Sequence, residues 1–300
     1  MSVTAVPAYR VVRKFVKELD GLPTDSALES LWHQLKSYIN HLLNGAGVVF
    51  ADLGQRLTIS QIGDPDLGKL SLALAGLEEG NPKVLAEETL RRCTELLPQP
   101  ELAAQLVILP GDEQSNVLNF QMNGVMGVTL GTHSTLVFIW PSGNWQNSLA
   151  YTIAHEYVHL VRNCVFPKTA SGGKIIFEQT GEAETLLDAM VTEGIADAFA
   201  LQLYPGAQAL SQLAVSTADK LSTWPKIRRR LHNSDMVDIR RFLVGDNDRI
   251  PLWIGYAIGY SIVREYMDHH PTTYPNELAR MSASTIFESI ENGFEFTENR

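Results

Sequence analysis

The chain has 300 residues, 45% of them hydrophobic, and a formal net charge of −10. That is enough apolar material for a sizeable core, built as one large domain or two lobes. The acidic balance argues against nucleic acid, whose binders carry basic patches. Two cysteines are too few for a disulfide framework and suit a reducing cytoplasm.

Residues 1–10 show no apolar run behind a basic start, so they do not read as a secretory signal. The longest apolar runs, such as 70–77, fall far short of the ~20 residues a bilayer span needs. The expectation is a soluble, cytoplasmic protein with no membrane partner.

Residues 1–100 read as an N-terminal helical region, with helices from residue 8 onward. Stretches 11–19 and 27–43 carry apolar residues at spacings of three and four. Asp25 or Ser26 is placed to cap the second helix and Gly45 to end it. His33 and His41 lie eight apart in it, with no acidic or Cys partner at ligand spacing, and read as interior or boundary histidines. A further helix over 85–97 is stopped by Pro98 and Pro100.

The pattern changes at 101. Segments 106–110, 125–130 and 135–140 are rich in β-branched and aromatic residues and read as strands within 101–141. His133 sits in the turn between the last two, as an ordinary polar loop residue. A helix over about 148–163 follows, and a helical lobe over about 175–300. The basic cluster of Lys226, Arg228, Arg229 and Arg230 with Arg240 and Arg241 reads as a solvated helix face, with a minor role in holding an acidic substrate terminus left open.

The helix over 148–163 contains His155-Glu156-Tyr157-Val158-His159. Two imidazoles four residues apart lie on one helix face and can grip one metal ion. The glutamate between them projects to the side, where it can take a proton from water. The surrounding residues are apolar nearly all round, so this helix belongs in a core. Burying two imidazoles and a carboxylate there costs several kcal/mol unless each finds a partner. A metal supplies that partner more cheaply than scattered backbone carbonyls.

A catalytic zinc usually takes three protein ligands. The HExxHxxGxxH form is excluded, since Arg162 stands where its glycine would be. The candidate third ligand is Glu193. Read as a helix, 185–201 places Leu186, Met190, Glu193, Asp197 and Leu201 on one mostly apolar stripe. Two acids one turn apart on such a stripe repel, and a divalent cation reverses that sign. Asp197 is then expected to accept from the far nitrogen of a ligand histidine, His155 first. The alternative is a solvated acidic face, and Glu184 and Asp188 already fill that role.

An HExxH motif followed 34 residues later by Glu-Gly-Ile-Ala-Asp resembles the gluzincins. More narrowly, the chain resembles the bacterial family of predicted zinc-dependent proteases typified by YjaZ. The likeness rests on 151–160, on 193–197 and on the glycine-flanked run 255–263, with the glycine-containing strands near 124–140. It covers roughly 101–290. It implies a zincin-like α+β fold, mostly helical, with a small mixed or antiparallel sheet before the metal-binding helix. It also implies a zinc metallopeptidase holding one Zn2+ per chain and acting on a peptide or protein. His155, His159 and Glu193 would hold the metal, with Glu156 as general base and then general acid. A gluzincin's oxyanion donor is a Tyr or His well downstream of the glutamate ligand, and Tyr256 is the choice here. Tyr260 and His232 are further options, and His269 and His270 read as a helix end. Equally, Gly255 and Gly259 form a small-residue packing face, with both tyrosines filling core. The strands at 124–140 are assigned to pair with an extended substrate. Two other functions stay open: hydrolysis of another amide or an ester, and a non-catalytic scaffold that binds protein.

Overall fold

The computed structural model describes residues 2–18, 24–43, 67–166, 185–209, 212, 215–246, 248–291, 294 and 296. Four strands, β1 (Ser2–Val6), β2 (Ala103–Pro110), β3 (Val125–Leu130) and β4 (Ser134–Ile139), form one sheet in the order β1-β2-β4-β3. β1, β2 and β4 are parallel, whereas β3 runs antiparallel to β4 and sets Gly127 against Val137. The fold is α+β with a small mixed sheet. Every residue of β4 is buried, as are the last five of β2, because helices cover both faces of the sheet centre. Gly131, at φ +58°, makes the reversal from β3 to β4 that a side chain would strain.

β1 is a strand that the helical reading of the first hundred residues lacks. It has five residues, and its partner lies a hundred residues away, so no local pattern marks it. The helices that follow are α1 (Ala8–Glu18), α2 (Thr24–Leu43), α3 (Leu67–Gly80) and α4 (Pro82–Leu96). Asp25 falls in the first turn of α2, while Gly45 lies outside the described residues. His33 and His41 are exposed on α2 rather than interior.

α5 (Trp145–Val165) packs across β3 and β4, with α4 alongside it. It is buried on nearly every side, as its apolar surroundings require. α6 (Leu186–Leu203) crosses α5, and α7 (Thr217–Arg228) and α8 (Met236–Val244) lead to α9 (Ile254–His269). Short helices α10 (Pro275–Leu278) and α11 (Ala283–Glu288) pack onto α6. α6 and α9 meet backbone to backbone: a Cβ on Gly259 would lie 1.8 Å from the Met190 carbonyl oxygen. Arg162, buried on α5, donates to the Met281 carbonyl at 3.0 Å and so ties the C-terminal turns to the core.

Candidate metal centre

The site is built where α5 and α6 cross. α6 starts at a capping box: the Asp188 amide donates to the Thr185 hydroxyl, and the Thr185 amide to the Asp188 carboxylate. The next amides, of Leu186 and Leu187, donate to the carbonyls of Asn233 and Leu231. With its first turn held at four points, α6 places Glu193 two turns further in, facing α5.

His155 and His159 stand one turn apart on α5, with Nε2 atoms 3.1 Å from each other. Glu193 Oε2 lies 3.0 Å from His155 Nε2 and 3.4 Å from His159 Nε2. One donor atom from each of the three lies within 4.8 Å of the other two. Among the described residues, this is the one cluster of His, Cys, Asp and Glu with metal-holding geometry.

The electrostatics match the geometry. Burial opposes a charge on His155, yet hydrogen bonds to Asp197 and Glu193 outweigh it and raise its pKa well above the usual imidazole range. Burial likewise opposes a charged Glu193, but His159 and His155 hold its carboxyl far below the ordinary range. Two imidazoles and a carboxylate converge on one point, and two nitrogens with one oxygen suit zinc while leaving a coordination position open. The donor set therefore fits the ion.

Asp197 is 1% exposed and lies behind His155, with Oδ1 2.8 Å from Nδ1. The Tyr151 hydroxyl, one turn before His155, donates to the same oxygen. Burial and the Asp197 charge raise the Tyr151 pKa well above the phenol range, which keeps this hydroxyl protonated and donating.

Glu156 is not one of the three donors, and its side chain reaches the sheet. Its Oε2 accepts from the Thr129 hydroxyl at 2.7 Å, and its side chain lies directly under Gly127 of β3. Thr135 on β4 sits 2.9 Å from the Thr129 hydroxyl and steadies it. Tyr151, Thr129 and Gly127 are contributors that sequence reasoning did not single out. Tyr151 had a signal, one hydroxyl at i−4 from a histidine in an apolar helix. Thr129 and Gly127 had none, since the contact depends on how α5 lies under β3.

Tyr256 and Tyr260 are both half-buried on α9. Tyr256 packs edge-on against Trp253, with ring centroids 5.4 Å apart. Tyr260 shares the electrostatic environment of Tyr151 and Asp197. Gly255 is pressed against the backbone of Phe242 and Leu243, and Gly259 against Met190, so both glycines form packing contacts. His232 is exposed and is not one of the three donors, and His269 and His270 end α9. His41 and His133 line a separate cavity of about 520 Å3 beside the start of β2 and β4.

The family described as "Predicted Zn-dependent protease (DUF2268)" matches residues 83–288. The chain belongs to this family. The match runs from the first turn of α4 to the end of α11 and contains every residue of the cluster. The "Uncharacterized protein YjfC" of Bacillus subtilis (strain 168) is 26% identical over 259 residues, covering 81% of this chain and 80% of that protein. No solved structure matches. Among the described residues, no helix is long and apolar enough to cross a membrane.

Proposed function

We propose that this protein hydrolyses peptide bonds, using one zinc ion held by His155, His159 and Glu193. One observation carries the reading: beside three converging metal donors stands a fourth polar group, Glu156, held out of the donor set and against the sheet edge. A scaffold that used metal only as a staple would not need it.

Zinc held there supplies Lewis acidity, polarising a carbonyl and acidifying water beside it. Glu156 takes the proton of the attacking water and passes it to the leaving nitrogen. The hydroxyl joins the acyl carbon, the C–N bond breaks, and the amine departs with that proton. Thr129 occupies Oε2, so Oε1 under Gly127 is the oxygen that handles the proton. Asp197 accepts from Nδ1 of His155, which fixes the tautomer and would leave the Nε2 lone pair to the metal. Tyr256 is assigned as the donor to the developing oxyanion. β3, which among the described residues pairs only with β4, offers its other edge to the substrate backbone.

The test is zinc per chain by elemental mass spectrometry, on protein purified without metal affinity, beside hydrolysis of a peptide library. The wild type is expected to hold about one equivalent, the stoichiometry of a three-ligand catalytic site. Glu193→Ala should lose most of it, and Glu156→Gln should keep zinc but not hydrolysis. A wild type that binds no zinc on incubation would defeat the proposal.

A further inference from the structure

Among the described residues β3 pairs only with β4, so its other side is free. The Trp140 amide donates to the Gly124 carbonyl at 2.8 Å. Antiparallel alternation then turns the main-chain groups of Val125, Gly127 and Thr129 away from β4, toward the free edge. Gly127 and Thr129 both lie against Glu156.

At Val125 that edge is already used. Its amide donates to the Met122 carbonyl at 3.1 Å, so the incoming chain curls over the edge at this point. The same stretch is fastened to the opposite side of the site. Gln121 Oε1 accepts from Trp253 Nε1 at 2.9 Å, and Asn123 Nδ2 donates to Gln208 Oε1 at 3.2 Å. Trp253 stands at the N-cap position of α9, and Gln208 follows α6. One wall is the strand beside Glu156, and the other is the helix pair carrying Glu193. Among the described residues, 121–123 join the two at one end.

We propose that the space between these two walls is closed at Val125 and takes the carboxyl end of a peptide, from which a short segment is removed. This rests on the peptidase reading above. An extended chain advances ~3.3 Å per residue, so roughly one to three residues fit between Gly127 and the closure. Antiparallel pairing with β3, the more stable arrangement, points the carboxyl end of the peptide toward Val125. The segment held against the closure is therefore the one released with the new amino group.

Two measurements with randomised decapeptides test this. Zinc-loaded wild type is incubated with the library and the products are read by mass spectrometry. The expected products lack about one to three residues at the carboxyl end. Separately, zinc-loaded Glu156→Gln protein is immobilised, and retention of the library is compared with that of the same peptides bearing polyethylene glycol on either end. Blocking the carboxyl end is expected to cut retention about tenfold, a 1.4 kcal/mol effect, and blocking the amino end to leave it unchanged. The double change Gln121→Ala with Trp253→Phe, checked for folding by thermal melting, should let internal bonds be cut. Wild-type cleavage at internal bonds or at the amino end overturns the proposal and leaves the peptidase reading standing, as does retention indifferent to a blocked carboxyl end. Hydrolysis of no peptide by zinc-loaded protein removes the peptidase reading, and the proposal with it.

Discussion

A Cβ on Gly127 would lie 2.5 Å from Cγ of Glu156, so the edge strand and the acid meet where a side chain is missing. The three atoms nearest that Cβ all belong to the Glu156 side chain, with Oε1 at 2.7 Å and Cδ at 2.8 Å. A side chain can swing aside where a backbone cannot. Gly127→Ala should therefore fold and keep its zinc while its Glu156 carboxylate leaves Thr129. Misplacing a reacting group by about 1 Å costs on the order of 10²-fold in rate. Peptide hydrolysis and zinc content measured on one preparation check this, and a variant that keeps its rate would show that Glu156 does not act from this position.

Tyr151 and His155 both donate to Oδ1 of Asp197, while Oδ2 is buried with no partner among the described residues. The carboxylate is held by those two donors. Asp197→Asn should weaken zinc binding about 10–100-fold, the usual cost of losing the group that orients a ligand histidine. Tyr151→Phe should weaken it less and lower stability by about 1–3 kcal/mol, since a buried acceptor then loses a partner. Competition against a chelator measures the first effect and urea unfolding the second. Zinc affinity unchanged in both variants would remove Asp197 from the metal site's support.

How much of this the sequence announces depends on whether the constraint is local. The spacing of His155 and His159 declares itself, because a helix puts i and i+4 on one face. The stripe from Leu186 to Leu201 places Glu193 and Asp197 on one side of α6 for the same reason. β2, β3 and β4 announce themselves through β-branched runs bounded by turn residues, whereas β1 is too short to do so. Contacts across elements stay hidden. Thr129 reaches Glu156 only because β3 lies over α5, and Gln121 reaches Trp253 across 132 positions of chain. The two glycines of α9 illustrate the ambiguity: their spacing is visible, but only the packed structure shows Met190 pressed against one of them.

That contact makes the α6–α9 crossing the least tolerant place near the site. A Cβ on Gly259 meets the Met190 carbonyl oxygen at 1.8 Å, and one on Gly194 meets the Gly259 carbonyl carbon and oxygen at 2.4 Å. Both obstacles are backbone, so the helices must part. Gly259→Ala is expected to cost about 1–3 kcal/mol or more, as overpacking does. Because Glu193 adjoins Gly194 on the displaced helix, zinc content should fall as well. Urea unfolding with elemental analysis tests both, and Gly259→Ala with wild-type stability would contradict the close packing.

The protonation of His155 and Glu193 sets the pH response of the metal-free protein. His155 has a raised pKa in the fold: burial opposes it, but Asp197 and Glu193 prevail. Its contribution to stability is full below the unfolded value of about 6.5 and is lost as pH rises through the folded value. Glu193 has a lowered pKa, burial again being outweighed, here by His159 and His155. Its contribution is present above about 4.3 and is lost as pH falls through the folded value. Near these groups the metal-free protein is therefore most stable between roughly pH 4.3 and 6.5. Zinc must displace the His155 proton, so its apparent affinity should rise with pH, by up to about tenfold per unit for each proton released. The gain in melting temperature on adding zinc should accordingly grow from about pH 6 to pH 8. Melting curves with and without zinc across that range measure it, and a gain independent of pH would mean that His155 carries no proton for the metal to displace.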